Sequence, residues 1–295
     1  MANHFKGKAV IVTGSGGTAG IGRAMALRYA REGAKVVVND FGTSEEGIRF
    51  ADMVVKEIRE SGGTAVANYD SVCADNGAAN IIGTCIDNFG KVDVLVNNAG
   101  NHILGDPLDG TMAALDSMYN IHMKGMFACG QEAAKQMVSQ GTGGSIINFS
   151  SQSSFQGKTL KGQQMLYGMV KAAILSMTWH MRLGLEQYGI TVNSILPDAR
   201  SKLNLDPTLN TGMGDGLTLP VSERTPEHVA AVVAYLSSEA AIQKNITGKH
   251  VYVGGADFLI YGRPFTVAGD DVSPRFFRNA NKEPWTFEDL DSIAW

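Results

Sequence analysis

The stretch AVIVTGSGGTAGIG, residues 9–22, runs from an apolar, β-branched segment through five glycines into the start of a helical pattern. Ala9-Val10-Ile11-Val12 shows no polar alternation, which predicts a parallel strand buried on both faces. A glycine turn between such a strand and a helix presents backbone N–H groups, and the positive end of the helix dipole, to a phosphate. Glycine-rich turns occur in many folds. The residues around this one decide its meaning.

Outward from that stretch, short β-branched runs alternate with longer helical ones. Strands are predicted at 9–13, 35–40, 64–69, 92–97, 145–150, 191–196 and 249–253, with helices near 20–32, 45–61, 75–89, 111–139, 164–188 and 226–238. Gly33 and Gly62-Gly63 close helices, and Pro226 opens one after Thr225. The alternation predicts an α/β fold: a Rossmann-like, doubly wound sheet of seven parallel strands in a single domain, with ligands at the carboxyl ends of the strands. The domain is expected to span residues 1–263, leaving 264–295 as a C-terminal tail. That tail holds Phe265, Phe276, Phe277, Trp285, Phe287 and Trp295, more aromatic side chains than a disordered acidic segment carries. It is expected to be ordered, covering the substrate opening or packing on a neighbouring subunit.

Composition narrows the function. With 44% hydrophobic residues among 295, the chain can build one sizeable core. A net charge of −4 supplies no basic field for nucleic acid or an anionic membrane, so neither is expected as a partner. Six histidines without ligand spacing, and the scattered Cys73, Cys85 and Cys129, predict neither a metal site nor a disulfide framework. No apolar run reaches the roughly 18 residues of a membrane span, and a cytoplasmic protein is expected.

Asp40 ends the second strand twenty residues after Gly20, where a carboxylate accepts from the hydroxyls of an adenosine ribose. With Ala19 before Gly20, Phe41 after Asp40 and Arg23 expected to face solvent, nothing offsets its charge, which predicts NAD over NADP. VDVLVNNAG ends the fourth strand in Asn97-Asn98-Ala99-Gly100, and YGMVK puts Tyr167 and Lys171 on one face of a helix. A free tyrosine, near pKa 10, is a poor base at neutral pH. An ammonium about 4 Å away is expected to lower it by roughly three pH units before solvation losses.

Together these residues resemble the short-chain dehydrogenase/reductase family from near residue 5 to near 260. The glycine turn, Asp40, NNAG, a serine-rich strand end and YxxxK occur in the family's order. VVVND, GGTAVANYDSV and HMKGMF are similar to its (3R)-hydroxyacyl-CoA dehydrogenase subgroup, the kind found in the peroxisomal multifunctional enzyme. The resemblance implies an NAD-dependent oxidoreductase that interconverts a secondary alcohol and a ketone, with Tyr167 as general acid/base. Lys171 would assist it and hold the nicotinamide ribose. A serine would hold the substrate oxygen: Ser151, counted from the strand end, with Ser154, thirteen residues before Tyr167, as the alternative. His122, in IHMKG, takes the place where many members carry a kink-supporting Asn.

For the cofactor, the resemblance implies contacts at Gly14, Gly20, Ile21, Gly22 and Asp40, at Asp70 on the adenine, at Asn98, Ala99 and Gly100, and at Pro197 beside the nicotinamide. The family's turn is TGxxxGxG, whereas five residues separate Gly14 from Gly20 here. Gly14 is read as the turn glycine, Gly20 and Gly22 as positions of close approach, and Gly16-Gly17 as inserted. Two substrates are left open: a (3R)-hydroxyacyl thioester, with Lys158 and Lys161 meeting coenzyme A phosphates, or a bulky steroid- or flavonoid-like ring ketone, walled by the apolar segment 203–219. Family habit implies a homo-oligomer, a tetramer or dimer, built partly on the helices near 111–139 and 164–188. The competing reading is a subunit that binds without converting.

Overall fold

The computed structural model describes residues 3–154, 164–199, 223–261, 275–279 and 282–295. Strands β1 (Ala9–Thr13), β2 (Lys35–Asn39), β3 (Thr64–Asn68), β4 (Val94–Asn97), β5 (Gly144–Phe149), β6 (Ile190–Asp198) and β7 (His250–Gly254) pair in parallel. These are the seven expected strands. Two more, β8 (Asp257–Tyr261) and β9 (Arg275–Arg278), continue the sheet antiparallel, so that it has nine strands among the described residues in the order β3-β2-β1-β4-β5-β6-β7-β8-β9. Sequence reading stops at seven because β8 follows β7 through a tight turn, and the run HVYVGGADFLIY offers no helix-length gap to mark a new strand.

The helices are α1 (Ile21–Arg31), α2 (Phe50–Glu60), α3 (Gly77–Phe89), α4 (Met112–Tyr119), α5 (Met126–Gln140), α6 (Met165–Leu185), α7 (Pro226–Leu236), α8 (Glu239–Gln243) and α9 (Phe287–Asp291). Strand side chains alternate between two cores: Val10 and Val12 pack with α1, α2 and α7, while Ala9 and Ile11 pack with α3 and α5. Burial on both faces explains the unbroken apolar runs. Pro226 opens α7 behind Thr225, which exchanges capping hydrogen bonds with His228. The helix expected over 111–139 is interrupted: α4 and α5 are joined by a π turn, Asn120–Gly125, that contains His122.

The described tail residues add to the first core. Trp285 donates from Nε1 to the Ala256 carbonyl at 2.9 Å and meets Phe258 edge-on at 5.0 Å, and Trp295 stacks on Tyr235 at 5.3 Å. Phe287 packs among Phe5 and Tyr235. These contacts are with the chain's own core; Phe265 and the rest of 262–274 lie outside the described residues. The strand order reverses between β1 and β4, so the loops leaving those strands diverge and open a cleft at their carboxyl ends.

Candidate active site

The loops after β1 and β4 are laced together at this point. The Thr13 hydroxyl accepts from the Asn98 and Ala99 N–H groups at 3.0 and 3.1 Å, and the Asn98 amide donates to the Gly14 carbonyl at 2.8 Å. Gly14 has φ +61°, and a Cβ there would stand 2.7 Å from Ala99 Cα. One on Gly22 would stand 2.2 Å from the Gly14 oxygen, so the first turn of α1 can seat only a glycine. Gly20 has φ +130° with open space where a Cβ would stand, and it lines the cleft.

That cleft, about 340 Å³, is lined by Gly14, Gly20, Ile21, Gly22, Asp40, Asp70, Asn98, Ala99 and Gly100, all expected at the cofactor. Gly16, read as an insertion, has a structural task. Its N–H donates to Asp40 Oδ2 at 3.0 Å, the Gly42 N–H donates to Oδ1 at 2.9 Å, and the Gly17 N–H reaches the Phe50 carbonyl at 3.1 Å. Two amides thus fix the carboxylate at one end of the cleft. Asp70 is held by the Asn68 and Asn80 side-chain amides, each at 2.8 Å. A glycine-walled cradle at a helix N-terminus, with a clamped carboxylate at its far end, fits a nicotinamide dinucleotide.

Next to the cleft is a cluster around Tyr167. Its hydroxyl lies beside the Ser151 side chain, which draws the phenol's pKa down, and Lys171 Nζ lies 5.4 Å from its ring centroid. Ser154 bonds Ser150 at 2.9 Å, and Ser150 donates to the Lys171 carbonyl at 2.7 Å. Of the two candidate serines, the structure brings Ser151 to the tyrosine. Lys171 is buried and donates to the Phe149 carbonyl at 2.8 Å. Burial lowers the Lys171 ammonium to about 7 and raises the Tyr167 phenol to about 12, against the pull of Ser151. This corrects the simple charge argument. Among the protein's own groups desolvation outweighs the ammonium's attraction, because the lysine itself is driven toward its neutral form.

His122 joins the two halves. Its ring faces Tyr167 at 5.8 Å, and its Nε2 donates to the Asn101 carbonyl at 2.8 Å. A Cβ on Gly100 would lie 2.5 Å from His122 Cε1, so the last residue of NNAG is glycine to admit this imidazole. Burial, with Lys171 adding to it, holds His122 down to about 3, and it stays neutral. The π turn supplies the kink expected at this position. Pro197 lies in β6, paired with Val253.

The short-chain dehydrogenase family model matches residues 8–201. This chain belongs to the short-chain dehydrogenase family. Peroxisomal multifunctional enzyme A of Dictyostelium discoideum is 38% identical over 245 residues, 80% of this dehydrogenase but 51% of that protein. The chain thus spans about half the length of that relative. L-rhamnose-1-dehydrogenase of Scheffersomyces stipitis is 34% identical over 270 residues, 90% of this chain and 98% of that one. The crystal structure of a short chain dehydrogenase from Mycobacterium avium superposes with a TM-score of 0.75 at 34% identity, covering 91% of this chain and 90% of that one.

Three features of this dehydrogenase escape sequence reading. Arg23 lines the cleft and pairs with Glu57, its Nε 3.0 Å from Oε2, so it is part of the wall beside Asp40. His102 packs on Tyr167, with no motif to mark it. Asp198 is buried against Arg224 and accepts from the Tyr252 hydroxyl at 3.0 Å. The buried pair joins the end of β6 to Arg224, two residues before α7 begins, a link no spacing rule reveals. Lys158, Lys161 and the apolar wall at 203–219 lie outside the described residues.

Proposed function

We propose that this dehydrogenase is NAD-linked and interconverts a secondary alcohol and a ketone, with Tyr167 as general acid/base. The convergence of Ser151, Lys171 and His122 on Tyr167, beside the Asp40-bounded cleft, carries the reading. Bound NAD would exchange the hydride and, when oxidised, add positive charge beside the tyrosine. Tyr167, protonated at neutral pH, donates to a ketone oxygen in the reducing direction and takes the hydroxyl proton back in oxidation. Ser151, beside the same hydroxyl, holds the substrate oxygen in line with it. Lys171, tied to the Phe149 carbonyl, keeps a proton donor under the tyrosine ring.

Asp40 favours NAD, because its clamped carboxylate accepts from a ribose 2′-hydroxyl and repels a 2′-phosphate. Substrates are a (3R)-hydroxyacyl thioester, from the likeness to the multifunctional enzyme, or a polyol or ring ketone; the rhamnose dehydrogenase relative supports the polyol. Assembly as a homodimer or homotetramer is supported by exposed Tyr119 and Phe127 on the α4–α5 stretch and by Met169 and Leu183 on α6. No helix among the described residues is long and apolar enough to cross a membrane, and free, buried Cys85 and Cys129 suit the reducing cytoplasm. Tyr167→Phe tests the central claim: turnover is expected to vanish while NAD affinity, by calorimetry, stays within about twofold, because only the proton handle is removed. Wild-type-like turnover would sink the mechanism.

A further inference from the structure

His102 has no role in the reaction described above, yet it sits against Tyr167. The two rings meet edge to face with centroids 4.5 Å apart. Its Nε2 is buried and has no hydrogen-bond partner. Such an orphan is uncommon, because a polar group that loses water without gaining a bond is costly. A phenyl ring could make the same edge contact without that cost. Beside the apolar Ile103, Met118, Leu166 and Val170, the polar groups around Tyr167 are Ser151, Lys171 and His122, and none of them is bonded to His102 Nε2. Packing therefore does not account for an imidazole at this place, whereas a polar group that arrives with the substrate does. Burial, reinforced by the Lys171 charge, lowers His102 from its ordinary 6.5, so it is neutral at neutral pH. With Nε2 protonated, a neutral imidazole is a donor for an oxygen.

We infer that His102 binds a second oxygen of the substrate, on a carbon one or two positions from the reacting carbinol, and so selects oxygen-flanked alcohols over simple secondary ones. This rests on the reading of Tyr167 as the acid/base, since the carbinol oxygen held by Tyr167 and Ser151 sets where a second oxygen falls. The shared chemistry is an oxygen acceptor near the reacting carbon; a thioester carbonyl and a sugar hydroxyl both supply it.

The test measures kcat and KM for wild type, His102→Phe and His102→Gln on a (3R)-hydroxybutyryl thioester, L-rhamnose and a plain 2-alkanol. Phe keeps the ring contact, and Gln places an amide N–H near the Nε2 position. For His102→Phe, kcat/KM on an oxygen-flanked alcohol should fall about tenfold to a hundredfold relative to the 2-alkanol, with most of that recovered in His102→Gln. Loss on the thioester alone names the carbonyl as the ligand, and loss on the sugar alone names the hydroxyl. Equal losses on all three alcohols, or none, overturn the proposal. Melting temperature and NAD affinity separate substrate effects from folding. If Phe does not fold, Gln is compared with the shorter Asn, and equal kcat/KM on the flanked alcohols overturns it. Wild-type protein that binds NAD but turns over none of the three overturns the oxidoreductase reading itself, and His102's role falls with it.

Discussion

Replacing Lys171 by Met should change how stability depends on pH, by an amount the structure lets us work out. Lys171 is buried, and its ammonium falls from 10.5 to about 7 because burial strips its water. Between those values the unfolded chain holds a proton on this side chain and the folded chain does not. Stability therefore rises with pH across that window, by about 1.4 kcal/mol per pH unit for one such group. From pH 7 to pH 10 the wild type should gain about 4 kcal/mol relative to Lys171→Met, whose side chain cannot titrate. Below pH 7 the difference should level off, because both states then carry the proton. Loss of the bond to the Phe149 carbonyl adds a nearly pH-independent offset. Urea unfolding of both proteins at half-unit pH steps, with reductant for the three free cysteines, measures the difference directly. Tyr167 titrates near 12, above the window. Parallel wild-type and variant curves between pH 7 and 10 would show that Lys171 keeps its charge when buried, and the desolvation argument would be wrong.

Ser151→Ala should lower kcat by about a hundredfold and Ser154→Ala far less, because Ser151 lies beside the Tyr167 hydroxyl and Ser154 is bonded to Ser150; steady-state rates showing the reverse order would reassign the serine. At His122, Asn should retain more activity than Leu, since Leu leaves the half-buried Asn101 carbonyl without its donor at a cost of about 1 kcal/mol; equal kcat/KM and equal melting temperatures would make the imidazole mere filling. Wild type should favour NAD over NADP by about tenfold or more in kcat/KM, from a like-charge term of roughly 4 kcal/mol at 4 Å that solvent and Arg23 reduce, and Asp40→Ala with Phe41→Arg should move the preference toward NADP. Higher efficiency with NADP in the unmodified protein would displace Asp40 from the ribose.

The parallel sheet was legible because each buried strand is an apolar run bounded by turn residues, and because helix-length gaps separate the runs. The hairpin β7–β8 was not, since a tight turn leaves no such gap. Spacing located Tyr167, Lys171, Asp40 and Ser151, whose positions follow from helix periodicity or from a strand end. It could not locate His102 or Arg23. Whether a loop residue or a residue in the first helical turn points into a site depends on backbone torsions that no residue pattern encodes. Nor could it assign Gly16, whose N–H matters and whose missing side chain reveals nothing of where that N–H points.

The close contacts make the cofactor wall and the catalytic cluster one packed unit. Gly16 lies against Asp40 and Phe50, Gly14 against Ala99, Gly22 against Gly14 and Asn98, and Gly100 against His122, with no space for a Cβ at any of the four. His122 in turn faces Tyr167. From Asp40 at one end of the cleft to the Tyr167 ring, position is therefore passed on by tightly packed backbone and by the buried His122 ring. Close-packed interiors respond to added volume by shifting neighbours, not by compressing. A methyl group at Gly100 would have to move the imidazole beside Tyr167, and one at Gly14 would have to move the Ala99 backbone that Thr13 holds. These glycines thus do two kinds of work: Gly20 leaves open space at the cleft, and Gly14, Gly16, Gly22 and Gly100 leave room for the chain's own backbone and side chains to pack.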